Sequence, residues 1–143
     1  MSIRLKSIVA RAASAAALLF LATTSAAAQD LSTHVLDLAR GTGGVGVPVK
    51  LERLVGEAWQ PVSQAVTDAN GRVRAFAGTR AEAGVFRLVF DMRNYALQPT
   101  VAGGAPRRPF FPEIVVVFEV PDTAHYHVPV VVSPFGYSTY RGN

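Results

Sequence analysis

Three histidines, one arginine and a closing run of polar and aromatic residues are the side chains of this 143-residue chain that could do chemistry. His125 and His127 stand one residue apart in "HYHVPVVVS". On a strand, residues i and i+2 share a face, so the two rings point the same way. His34, in "STHVLDL", is the remaining histidine. An imidazole with a pKa near ~6.5 accepts and returns a proton at neutral pH, which suits general acid–base catalysis. His-x-His on a strand can equally be half of a zinc site, with His34 as a third ligand. A third reading makes these histidines surface or hydrogen-bonded structural residues. Arg72 closes the turn "DANGR". It is either a solvated turn arginine or a group that binds planar carbonyls and anions through paired hydrogen bonds.

Other chemistries lack their residues. The chain has no cysteine, no G-x-S-x-G elbow and no Ser-His-Asp signature, so a serine or cysteine nucleophile finds no support. "GTGGVG" (41–46) matches a dinucleotide-binding pattern, but that motif works only at the start of a helix within a βαβ unit. Pro48 and an alternating strand follow it here, so it reads as a hairpin loop.

The elements that must position these residues are short β-type runs separated by turn residues. Candidate strands cover 32–38, 45–55, 59–67, a short run after Arg72, 84–92, 113–120 and 125–133, with "YSTYR" as a last strand. In 45–55, Val47, Val49 and Leu51 alternate with Pro48, Lys50 and Glu52. Asn70-Gly71 supplies a left-handed turn cheaply. "NYALQ" (94–98) reads as a short helical turn, and the Pro- and Gly-rich 99–112 as a loop. Seven or eight strands with a turn roughly every ten residues predict an all-β sandwich. Pro48 and Pro129 each lack a ladder donor and belong at edges or bulges. The apolar run 128–132 suggests a strand covered on both faces, which in a small sandwich calls for a partner subunit. Trp59, Phe110, Phe111 and Phe118 are expected in the core or at an interface.

The first stretch reads as a leader rather than as part of the fold. Arg4, Lys6 and Arg11 precede the apolar "AASAAALLFLATT", and Ala26-Ala27-Ala28 fits a small-residue cleavage site. That pattern predicts a secretory signal peptide over 1–28, cleaved before Gln29, and a single domain over 29–143. The apolar run falls short of the ~20 residues that a membrane span needs. Without those three cations the formal charge of +4 falls to near +1. The basic balance is therefore no argument for nucleic acid. A periplasmic or secreted bacterial protein without cysteine must be stabilised by burial, aided by oligomerisation, rather than by disulfides.

The ending carries a more specific signal. "HYHVPVVVSPFGYSTYRGN" resembles the C-terminal signature of the 5-hydroxyisourate hydrolases, the transthyretin-related enzymes, which runs H-Y-H-x-P-L-L-x-S-P-x-x-Y-S-T-Y-R-G-S. "LSTHVLDLARGTGGVGVPVKLERL", "TDANGRVRA" and "RPFFPEIVVVFEV" are similar to three further family blocks, in the right order. The resemblance implies a transthyretin-like sandwich of two four-stranded sheets with one short helix. It implies a homotetramer, a dimer of dimers, with active sites at the dimer–dimer interface. It implies hydrolysis of 5-hydroxyisourate in urate degradation, without cofactor or metal. Position by position, His34, Arg72 and His127 fall on the family's catalytic residues. Tyr140, Arg141 and Gly142, with His34 and Arg72, fall on its substrate-binding residues. His125 matches in type and is assigned no catalytic role. Asn143 departs from the family's serine; its amide hydrogen-bonds but cannot relay a proton as a hydroxyl does. Two rival readings stand beside this one: a non-catalytic transthyretin-like carrier, and a zinc hydrolase using His34, His125 and His127.

Overall fold

The computed structural model describes residues 31–79, 82–97 and 108–143. The expected leader (1–28) lies outside them, as do residues 98–107, which hold much of the expected loop and the end of the expected helical turn. Among the described residues ten strands form two sheets.

The four-stranded sheet follows the sequence pattern closely. Its order is β4 (Ala58–Val66), β3 (Pro48–Val55), β6 (Gly84–Asp91), β7 (Glu113–Val120), all antiparallel. Alternation sets its inner face: Val49 and Leu51, then Phe86, Leu88 and Phe90, then Ile114 and Val116 are buried. The intervening residues face outward, where Arg87 lies over the Trp59 ring and pairs with Glu52. Pro48 opens an interior strand instead of lying at an edge, a place where its missing donor costs no ladder bond to β6, whose register begins at Val49. The ladder slips between Leu51 and Glu52, opposite edge-strand residues Pro61 and Ser63.

The second sheet is built around β1 (Leu31–Asp37). One edge of β1 pairs with β2 (Thr42–Gly43) and β5 (Arg72–Val73). The other pairs in parallel with β8 (Tyr126–His127) and β9 (Val130–Ser133), and β9 pairs with β10 (Gly136–Thr139). The expected four strands are thus four positions occupied by six segments. The run expected as one strand over 125–133 breaks at Val128-Pro129, where proline has no N–H to give. "GTGGVG" does contribute to a hairpin, β1–β2.

The two inner faces share one apolar cluster, in which Val35, Val130 and Val132 of this sheet join Leu51, Phe90 and Ile114 of the other. Of the expected interface aromatics, Phe118 stacks on Phe86, whereas Phe110 and Phe111 form an exposed edge-to-face group with Tyr137. No helix occurs among the described residues, where Tyr95 closes a turn by donating its N–H to the Met92 carbonyl. The Tyr95 hydroxyl also holds buried Asp37 at 2.9 Å, while Asp37 accepts from the backbone of Ala39 and Arg40. That carboxylate fixes the end of β1, a role the sequence pattern does not reveal.

Candidate active site

Strand alternation divides β1 into two sets. Leu31, Val35 and Asp37 point inward, and Ser32 and His34 point to the outer face of the sheet. His127 stands opposite Ser32 in register, and Arg72 opposite His34. Their inward neighbours, Tyr126 and Val73, are buried in the core. Residues distant in sequence therefore reach one outward face through three adjacent strands.

The Asn-Gly turn aims two of these groups. Asp68 Oδ1 accepts the N–H groups of Asn70 (2.8 Å) and Arg72 (2.9 Å), closing the loop around its own side chain. Gly71 has φ of 75° and lies so close to β1 that a Cβ there would sit 2.5 Å from the Val35 carbonyl oxygen. Only glycine meets both demands. The turn delivers Arg72 to the face and presents the Asn70 carbonyl to His34 Nε2 at 2.9 Å. A carbonyl only accepts, so Nε2 carries the proton and the Nδ1 of neutral His34 keeps its lone pair.

His127 is held from two sides. Its Nδ1 lies 2.8 Å from Ser32 Oγ, and that oxygen is 3.1 Å from His125 Nε2. On the other side the chain end returns as a bridge between His127 and Gly142, with the Gly142 N–H donating to the His127 carbonyl at 2.8 Å. A Cβ on Gly142 would sit 2.5 Å from His127 Cδ2. Gly142→Ala is therefore expected to tilt the ring or lift the chain end, lowering kcat/KM by about 10- to 100-fold with little change in Tm. A variant with the wild-type rate would show that the ring does not need this support.

His34 and His127 are both biased toward the neutral form. Burial pushes the His34 pKa below 6.5, and the Arg72 charge pushes the same way, against the Asn70 carbonyl and Asp68. Burial also lowers His127, helped by Arg72, His34 and His125 and opposed by a backbone contact with Ser32. A neutral imidazole beside a guanidinium can take a proton from water while the cation holds a carbonyl or developing anion.

Ser32, Arg72, Arg74, His125, His127 and Asn143 line a recess of about 330 Å³, into which no Asp or Glu of the described residues projects. His34 belongs to the same face, paired with Arg72. A larger recess of about 490 Å³ opens between β7 and the chain end, lined mainly by apolar groups. Tyr140 and Arg141 line that one, with the guanidinium 4.9 Å from the centre of the Tyr126 ring. The structure thus gathers His34, Arg72, His127, Gly142 and Asn143 and carries the Tyr140 and Arg141 side chains elsewhere. The smaller recess holds imidazoles able to transfer a proton, and the larger one holds none. Among the described residues no three His, Cys, Asp or Glu side chains gather where they could hold a metal ion, which leaves the three-histidine zinc set without its geometry.

A family model described as the HIUase/Transthyretin family matches residues 31–142. The chain belongs to that family. It is 43% identical over 116 residues to a 5-hydroxyisourate hydrolase of Deinococcus radiodurans, covering 79% of this chain and 95% of that protein. Among solved structures it is similar to a 5-hydroxyisourate hydrolase of Klebsiella pneumoniae, with TM-score 0.63 and 35% identity over 79% of this chain and 98% of the other. It is similar also to transthyretin from Sparus aurata, with TM-score 0.66 and 29% identity over 80% and 97%.

Proposed function

We infer that this protein is a hydrolase that opens the six-membered ring of 5-hydroxyisourate in urate degradation. The observation that carries the reading is the convergence of His34, Arg72 and His127 on one outer sheet face, in a chain of this family. Water adds to a cyclic amide carbonyl, the ring C–N bond breaks, and 2-oxo-4-hydroxy-4-carboxy-5-ureidoimidazoline results. His127 or His34 takes the water proton and returns it to the leaving nitrogen. Arg72 holds the planar heterocycle and stabilises the oxyanion. Gly142 lets the chain end close against His127, and Tyr140 and Arg141 are proposed to bind substrate from a neighbouring subunit's side of the cleft. The support for that last role is their position outside the histidine recess.

The same reading includes a dimer of dimers. Its support is apolar side chains left outward on both sheets and their edges: Val115 and Val117 on β7, Tyr137 on β10, and Leu38 and Phe135 beside the second sheet. It also includes export: the cationic start, apolar run and Ala26-Ala27-Ala28 support cleavage before Gln29 and a periplasmic or secreted product.

The test is the decay of freshly generated 5-hydroxyisourate with and without protein. The expected result is decay well above the spontaneous rate, and binding without acceleration would indicate a carrier instead. Asn143 lines the recess and forms no part of the histidine–arginine set. Asn143→Ser is therefore expected to hold or raise kcat, by up to about tenfold if the hydroxyl joins proton transfer. A fall in kcat would show that the amide has taken on a role of its own.

A further inference from the structure

We propose that Ser32 and His125 form a proton relay that holds His127 in one tautomer and resets it in each turnover. The proposal rests on the hydrolase reading and adds two positioning residues to it. Its basis is the placement of one hydroxyl between two imidazoles, 2.8 Å from His127 Nδ1 and 3.1 Å from His125 Nε2. Ser32 is a buried residue lining the recess, and its strand register with His127 is fixed by the parallel β1–β8 pairing. Nothing in the fold requires such a bridge, since the backbone ladder already joins these strands.

A serine hydroxyl has one proton and two lone pairs, so it can accept from one ring while donating to the other. In the resting arrangement His127 Nδ1–H donates to Ser32 Oγ, and Ser32 Oγ–H donates to His125 Nε2. His127 Nε2 then carries the lone pair and can act as the base. When Nε2 takes a proton from attacking water, the Nδ1 proton passes to Ser32 Oγ and the serine proton passes to His125 Nε2. His127 ends neutral with its proton on Nε2, ready to act as the acid. His125 ends as the imidazolium. Protonation of the leaving nitrogen by His127 Nε2–H runs the chain backwards and restores the first arrangement. No proton is gained or lost.

The surroundings give this transfer a direction. His127 is half-buried, and its own burial first, then the charges of Arg72 on β5, His34 on β1 and His125, disfavour a charged ring, against a backbone contact with Ser32. His125 is exposed, at the rim of the recess with Arg74 and Asn143. Moving the charge from His127 to His125 takes it from a poorly solvated site to a solvated one.

The test compares Ser32→Ala, Ser32→Thr, His125→Ala and the Ser32→Ala/His125→Ala double variant in the full protein, with the histidine tautomers read by 15N NMR. Ser32→Ala is expected to lower kcat ~30-fold with KM nearly unchanged, a share of the ~10²–10⁴ that general acid–base catalysis supplies. Ser32→Thr should recover most of the rate. The double variant should be no worse than Ser32→Ala, because both changes break one chain. His127 in the wild type should show a single neutral tautomer that becomes mixed in Ser32→Ala. A wild-type kcat in Ser32→Ala, or losses that simply multiply in the double variant, would overturn the relay. The NMR arm stands without turnover: an inactive wild type would refute the hydrolase reading, whereas an unchanged His127 tautomer in Ser32→Ala would refute the relay alone.

Discussion

His127→Ala is expected to lower kcat/KM by about 10²–10⁴-fold, the range that a positioned general acid–base group contributes. The ring is held by the Ser32 bridge on one side and the Gly142 return on the other, and its pKa is lowered by burial and by Arg72. Each of these features keeps a neutral imidazole in one orientation, which a base requires. His34→Ala is expected to fall in the same range if its Nδ1 lone pair shares the proton transfer, and less if its part is to help depress His127. The two variants, assayed separately after folding and subunit size are checked, decide between these roles. Wild-type rates in both would remove the histidines from the mechanism altogether.

Arg72→Ala is expected to lower kcat/KM by about 10²–10³-fold, as loss of one oxyanion-stabilising group does. It has a second signature in pH. Burial and the Arg72 charge hold both His34 and His127 below 6.5, so their basic forms persist and activity extends to the acid side of that value. Activity is lost as pH falls through the depressed values. Removing the cation lets both pKa values rise, so the acid limb of the rate profile moves to higher pH. Arg72→Lys separates the two effects. It keeps the charge and hence the limb, but loses the planar fork and with it much of the rate. An acid limb in Arg72→Ala at the wild-type position would show that the guanidinium does not act on the histidines. The same linkage bears on stability. Both rings resist protonation in the folded state, so their contribution is complete above the unfolded-state value of about 6.5 and is lost as pH falls through the folded ones.

Much of the fold was legible because burial on one face writes an alternation into the sequence. Val49-x-Leu51, Phe86-x-Leu88-x-Phe90 and Ile114-x-Val116 each announce a strand and its inner face. His125-x-His127 announces a shared face by the same rule, and Asn70-Gly71 announces the turn that carries Arg72. The break at Pro129 was visible as chemistry but was outweighed by the apolar run around it. The turn at Tyr95 is set by a tertiary contact that no local pattern shows: its hydroxyl turns inward to reach Asp37, 58 residues away. Ser32 was missed for a related reason. It is an unremarked serine beside Thr33 and His34, and its significance comes from a parallel pairing with His127, 95 residues on. The segment Tyr140-Arg141-Gly142 reads as one unit in the resemblance, yet Gly142 packs on His127 while Arg141 lies over Tyr126 at the other recess.

The central claim is that the outer face bearing His34, Arg72 and His127 hydrolyses 5-hydroxyisourate. The measurement that tests it most directly is the decay of freshly generated 5-hydroxyisourate, followed side by side for the wild type and a His34→Ala/His127→Ala variant of matched folding and subunit size. The account predicts rapid decay with the wild type and a rate at or near the spontaneous background with the variant. Equal acceleration by both proteins would contradict it.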